Sequence, residues 1–210
     1  MEVTIIDYKV GNYFSLINAL EYCGAKIKVS NNYNEIKNSE IIILPGVGSF
    51  KTGMKNLNDF DLINVIKEHA YNKKKLLGIC LGMQLFFDES EEFGNKKGLG
   101  LISGKIQKLP EKDQNGKKNL IPNITWNTIN KVLENDKKGF IKNLKDESFF
   151  YFVHSYFAIP KEKNNILAYS NFFNFQFTSI VNFENIFGTQ FHLEKSGENG
   201  IQLLKNFLKL

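Results

Sequence analysis

Only two cysteines, Cys23 and Cys80, occur in 210 residues. A disulfide framework is thereby excluded, and two thiols this far apart lack metal-ligand spacing. No apolar run is long enough to span a bilayer. The start, Met-Glu-Val-Thr-Ile-Ile-Asp, carries an acid where a signal peptide carries base, and its apolar stretch is short. The expectation is a cytoplasmic chain without membrane contact. No internal repeat is present, and no linker is long enough to separate domains. Residues 1–210 therefore read as one domain with a substantial core. The net charge of +5 sits on lysines scattered through polar stretches such as 72–75 and 115–119. With no nucleic-acid motif, nucleic acid is not an expected partner. The basic surface suits a phosphorylated metabolite or an acidic partner instead.

What is there has the rhythm of alternating strands and helices. Val3–Ile6 is a short apolar run closed by Asp7 and a Gly11-Asn12 turn signal, so it reads as a buried strand. From Asn12 to Cys23, Phe14, Ile17 and Leu20 fall at helical spacing, and Gly24 stands at the stop position. Cys23 then reads as a buried helix-end thiol. Lys26–Val29 and the β-branched Ile41–Leu44 are further strands, the latter ending at Pro45-Gly46. Asp61 is placed to cap a helix running to Asn72, with Ile63, Ile66 and Ala70 on one face. Lys75–Ile79 is a strand and Leu81–Phe87 opens a helix. This alternation predicts an α/β fold with an open, largely parallel central sheet and helices on both faces. Later, 149–153, 166–170, 177–183 and 186–191 are aromatic or β-branched and predict an antiparallel edge. Residues 113–119 read as a charged surface loop. The chain closes in a helix over 196–210, with Ile201, Leu204 and Leu208 at core spacing.

The chemistry concentrates on Cys80. In Gly78-Ile-Cys80-Leu-Gly82, an apolar strand runs into the thiol, glycines flank it, and a helix follows. That is the pattern of a nucleophile elbow. Unpaired amides at a helix start also favour a thiolate. A base must accompany such a thiol. His192 is one candidate, because Glu194 two residues on would share its side of an extended segment and orient the ring. His154 in Tyr-Phe-Val-His-Ser-Tyr is the other, and spacing leaves both open. His69, in a charged helix, reads as solvent-facing. Pro45-Gly46-Val47-Gly48-Ser49 ends a buried strand at the same sheet edge, where its amides can face an oxyanion.

Six motifs in order carry a resemblance: Asp-Tyr-x-x-Gly-Asn at 7–12, Pro-Gly-Val-Gly-Ser-Phe at 45–50, Gly-Ile-Cys-Leu-Gly-Met-Gln at 78–84, Trp-Asn at 126–127, Tyr-Phe-Val-His-Ser-Tyr at 151–156 and Gly-Thr-Gln-Phe-His-x-Glu-Lys-Ser at 188–196. The chain resembles the class I (triad) glutamine amidotransferases, and among them the glutaminase subunits of imidazole glycerol phosphate synthase. The resemblance implies a Cys80, His192, Glu194 triad acting on glutamine, which moves His154 from candidate base to the substrate site. It implies an oxyanion hole from Val47, Gly48 and Leu81, and substrate contacts from Gly82, Gln84, His154, Ser155 and Tyr156. Asn12, Trp126 and Asn127 become partner-facing. The implied partner is a (β/α)8-barrel cyclase in a heterodimer, receiving ammonia through a tunnel for histidine biosynthesis. No metal or organic cofactor is implied. A paralogous glutaminase serving a sugar-amidating synthase is the alternative. Three positions depart from the family pattern: Leu193 replaces the usual Pro between His and Glu, Asn123-Ile124-Thr125 replaces His-Met-Gly before Trp126, and Lys9 stands where Gly is common.

Overall fold

In the strand Ile41–Gly46 (β3), every residue is buried. Its side chains divide by parity: Ile41 and Ile43 enter one hydrophobic core, Ile42 and Leu44 another. A strand covered on both faces alternates its side chains between two layers. The structure, a computed structural model, describes residues 1–145 and 147–210. Around β3 stand Glu2–Ile6 (β1), Lys26–Ser30 (β2), Lys75–Cys80 (β4) and Ile186–Thr189 (β14), in the order β2-β1-β3-β4-β14 and all parallel. One core layer holds helices Tyr13–Tyr22 (α1) and Gly197–Lys209 (α6). The opposite layer holds Tyr33–Asn38 (α2), Phe50–Asp59 (α3) and Ile63–Tyr71 (α4).

Beyond β14 the sheet turns mostly antiparallel. It continues through Phe175–Phe183 (β13), Tyr156–Pro160 (β11) and Ile102–Lys108 (β7), then to Phe87–Ser90 (β5) and Lys96–Lys97 (β6), the exception being β5, which pairs with β7 in parallel. Ile166–Phe172 (β12) pairs with β13 and with Asn130–Lys131 (β9). A separate antiparallel pair joins Asn123–Thr128 (β8) to Phe149–His154 (β10). The expected α/β architecture is therefore present, with two adjustments. β14 belongs to the parallel core as well as to the antiparallel edge, and β10 lies outside the main sheet.

Several local expectations are corrected. The helix after Cys80 (α5) covers only Leu81–Gln84. It stops because the carbonyls of Leu85 and Phe86 accept from the amides of Leu99, Leu101 and Ile102, which takes them out of a helical ladder. Asp61 does not cap α4. It is left-handed (φ 54°) and closes α3, with Leu62 donating back to Leu57. Phe14 is 74% exposed, because α1 buries Leu16, Ala19 and Leu20 instead. Cys23 is at the helix end but only half-buried. His69 is buried, not solvent-facing, and its Nε2 meets the Lys75 carbonyl at 3.0 Å.

Candidate active site

Parallel strands end together, and the crevice outside their C-terminal ends is where open α/β sheets place ligands. Here β3 and β4 are in register at Gly46 and Cys80, and β14 aligns Thr189 with Ile79. The 45–48 loop, Cys80 and residues 190–192 are thereby brought to one edge.

Cys80 has φ 53° and ψ −110°, a backbone conformation that costs a non-glycine residue roughly 1–3 kcal/mol. Such strain marks an elbow, and the flanking residues explain how it is held. A Cβ on Gly82 would sit 1.7 Å from the Leu44 carbonyl oxygen, and one on Gly78 2.6 Å from the Met83 nitrogen. Only glycine lets α5 lie so close to β3 and β4. Tyr8, fully buried, ties the neighbouring loop by donating to the Pro45 carbonyl at 2.6 Å.

His192 Nδ1 lies 2.8 Å from Glu194 Oε1, and both side chains are buried. The pair is not on a strand, as the i, i+2 reading expected. His192 is extended (φ −87°, ψ 109°) and leads into a 3₁₀ turn over Leu193–Lys195. That extended geometry is what a following proline would also impose, so leucine at 193 leaves the pair intact. Leu193 itself is fully buried in the core between β10 and α6. His192 Nε2 has no hydrogen-bond partner among the described residues and lines the same cavity as Cys80. Burial opposes charge on this ring, but the Cys80 thiol and the Glu194 carboxylate outweigh it and raise its pKa to about 10. The balance favours the protonated form of the ring.

His154 is different. Its Nδ1 is 2.9 Å from the Tyr156 carbonyl and its Nε2 3.0 Å from Asn123 Nδ2. The carbonyl demands a donor and the amide an acceptor, so the ring is fixed in one neutral tautomer. Burial lowers its pKa to about 4. Neither nitrogen is free to take a thiol proton. Of the two rings that spacing left open, His192 is the one with a nitrogen lacking a partner among the described residues, and Asn123 holds the other ring in place.

The cavity is about 290 Å³, room for an amino-acid-sized ligand, and is lined by Val47, Gly48, Cys80, Leu81, Gln84, Glu92, Val153, His154, Ser155, Tyr156 and His192 among others. Three expected residues sit differently from their assigned roles. The Val47 amide donates to the Val10 carbonyl at 2.7 Å, so it is occupied. Gly82 packs behind the elbow and does not line the cavity. The Gln84 amide nitrogen is taken by the Tyr156 carbonyl (2.9 Å) and Gln190 Oε1 (3.0 Å), leaving only its oxygen for a ligand. Leu81, the first residue of α5, has an amide with no partner one turn back. Asn12 and Trp126 are exposed, whereas the Asn127 side chain is tied to the Asn171 carbonyl.

Two residues were missed by reading the sequence. Glu92 projects into the cavity, its Oε2 accepting from the Phe50 amide at 2.6 Å, and burial raises its pKa. It lies in an acidic stretch with no periodicity to single it out. Gln190 touches Cys80, although it was visible within the Gly-Thr-Gln-Phe-His run. Among the described residues no cluster of His, Cys, Asp or Glu could hold a metal ion. No helix among them is long and apolar enough to cross a membrane.

A family model for glutamine amidotransferase class-I matches residues 4–210. A relative named imidazole glycerol phosphate synthase subunit hisH, from Cyanophora paradoxa, is 43% identical over 100% of this chain and 94% of its own. A subunit HisH from Geobacillus sp. (strain WCH70) is 40% identical over 99% and 96%. A solved structure described as PurLQS from Thermotoga maritima shares the fold, with TM-score 0.71 at 18% identity, covering 99% of this chain and 97% of that one. Matched almost end to end by the family model and by such relatives, this chain belongs to the class I glutamine amidotransferases.

Proposed function

We infer that the protein is the glutaminase subunit of an imidazole glycerol phosphate synthase. It hydrolyses glutamine to glutamate and ammonia and hands the ammonia to a cyclase. The observation that carries the chemistry is the strained Cys80 beside a buried His192 that Glu194 holds at 2.8 Å. A proton held on His192 by Glu194 and an anionic sulfur next to it stabilise each other as an ion pair. That sulfur attacks the side-chain amide carbon of glutamine, forming an S–C bond and pushing the carbonyl electrons onto oxygen. The Leu81 amide and the 47–48 loop receive the oxyanion. When the carbonyl re-forms, the C–N bond breaks and His192 gives its Nε2 proton to the leaving nitrogen, releasing ammonia. The neutral ring then takes a proton from water, which attacks the thioester. The S–C bond breaks and glutamate leaves. Glu92 is suited to the α-ammonium of the substrate, and Gln84 Oε1, Ser155 and Tyr156 to its remaining polar groups.

The Val10–Val47 bond supports a further aspect of this reading. With that amide occupied, the oxyanion hole is incomplete until the loop moves, which fits a subunit that waits for its partner before spending glutamine. The partner proposed is a (β/α)8-barrel cyclase in a heterodimer. Ammonia passing to it would yield imidazole glycerol phosphate and the aminoimidazole carboxamide ribotide that feeds purine synthesis. Exposed Asn12, Phe14, Ile124 and Trp126 offer it polar and apolar surface. The relatives named above favour this synthase over a sugar-amidating one. Two free thiols suit the reducing cytoplasm. The test is glutamine-dependent synthesis with a histidine-pathway cyclase. Product from glutamine supports the assignment. Product from free ammonia only, with this subunit present, refutes it.

A further inference from the structure

Gln190 has no role in the chemistry above, yet its fully buried side chain places Nε2 3.7 Å from Cys80 Sγ. Oxygen and nitrogen of a carboxamide have the same shape, so only the hydrogen-bond network decides which end faces the sulfur. Here the network is anchored on a group that cannot flip. The Tyr156 backbone carbonyl can only accept, so Gln84, 2.9 Å away, must turn its NH2 toward it. The same nitrogen lies 3.0 Å from the Gln190 carboxamide, which must therefore present its oxygen. The Gln190 NH2 is left facing the sulfur. Backbone geometry holds it there: Gln190 N donates to the Ser179 carbonyl at 2.9 Å, and the register Thr189↔Ile79 brings Gln190, just past the end of β14, beside Cys80 at the end of β4.

We propose that Gln190 is a catalytic residue that donates a hydrogen bond to the Cys80 sulfur, with Gln84 as the positioning residue that fixes its orientation. The proposal deepens the glutaminase reading and rests on Cys80 as the nucleophile. An N–H donor favours an anionic sulfur over a thiol, which gains less from a donor. A carboxamide does this without competing for the proton that His192 must hold and return. An acid at 190 would repel the thiolate, and a lysine would rival the imidazolium. The bond also holds the sulfur from a fully buried side chain that does not line the cavity. Some of the benefit is offset, because a better stabilised thiolate is a weaker nucleophile. The effect therefore falls more on the pH dependence of the sulfur than on the maximal rate.

The test is alkylation of Cys80 by iodoacetamide across pH, without glutamine, in a Cys23→Ser background so that one thiol reports. The titratable groups around the sulfur are His192 with Glu194 behind it, His154, Tyr156 and Glu92 from the cavity wall, and Tyr8 from the β1 side, and all stay unchanged. Gln190→Met removes the donor and keeps the size. Its alkylation midpoint is expected to rise by about one pH unit, with roughly threefold slower reaction below the midpoint, because the tenfold loss of thiolate is partly offset by its greater nucleophilicity. Gln84→Met leaves the donor but frees its orientation, and moves the midpoint the same way by less. A folded Gln190→Met protein with the parent midpoint overturns the proposal. If that variant does not fold, Gln84→Met decides: an upward shift supports the proposal and an unmoved midpoint overturns it. No turnover is read, so this result is separate from the nucleophile assignment, which Cys80→Ala tests.

Discussion

The amide of Val47 donates to the carbonyl of Val10 at 2.7 Å, which links the glycine-rich loop after β3 to the loop after β1. Val47 is 45% exposed and borders the cavity that holds Cys80. A loop this accessible can be re-seated by a docking protein. The isolated subunit is therefore expected to hydrolyse glutamine slowly. Adding the cyclase should raise kcat by about 10²-fold or more, the size expected for one oxyanion donor. Steady-state glutaminase assays with and without the cyclase check this, and an isolated rate equal to the activated one contradicts it.

The two buried histidines of the cavity should respond differently to the same change. His192 has one nitrogen on Glu194 and one with no hydrogen-bond partner among the described residues, whereas both nitrogens of His154 are committed. His192→Gln should lower activated kcat by at least about 10²-fold, the contribution of a proton-transfer group. His154→Gln should keep kcat within roughly tenfold while lowering stability by about 1–3 kcal/mol through unpaired polar groups. Matched kinetics and urea melts separate the two. Equal losses of kcat would leave His154 in the running as the base.

Stability should peak near pH 6.5. His69 and His154 have pKa values lowered to about 4 by burial, against about 6.5 unfolded. Between those values the unfolded chain binds more protons, so their contribution is present above pH 6.5 and lost as pH falls toward 4. His192, raised to about 10, works in the opposite sense. Its contribution is full below pH 6.5 and lost as pH rises toward 10. Urea midpoints measured from pH 4 to 10 should trace a maximum, and a curve that keeps rising above pH 7 contradicts the charged His192.

Lys9 occupies a left-handed conformation, φ 63°. Its Nζ and backbone amide bond the Asp7 carboxylate at 2.7 and 3.2 Å, which offsets some of the strain. The ion pair is exposed on the lysine side and contributes little. Lys9→Gly should therefore leave stability unchanged or raise it by up to about 1 kcal/mol. A loss above about 1 kcal/mol in thermal melts would mean that the Asp7 bonds dominate.

How much was legible in the sequence varied with the kind of signal. The β-branched runs at 3–6 and 41–44 are buried on both faces, so a bare apolar run sufficed. The elbow was legible because Gly78 and Gly82 are demanded by contacts with backbone atoms one strand away. The pair His192 and Glu194 was found by an argument about strands, although a 3₁₀ turn brings them together. What was illegible was set by distant partners. α3 went unread because its buried positions, Phe50, Gly53 and Leu57, are few and include a glycine. The brevity of α5 depends on amides from 99–102. The burial of His69 is fixed by the carbonyl of Lys75, on the strand that follows its helix. Glu92 reaches the cavity from just past the end of β5 with no local pattern to announce it.

The most direct test of the whole account is glutamine hydrolysis by Cys80→Ala in the presence of the cyclase. The substitution removes the attacking sulfur and leaves His192, Glu194 and the cavity in place. The predicted result is loss of turnover by at least about 10⁴-fold in a folded complex that still makes product from free ammonia. Glutamine hydrolysis near the parent rate in that variant would contradict the claim that Cys80 makes the ammonia.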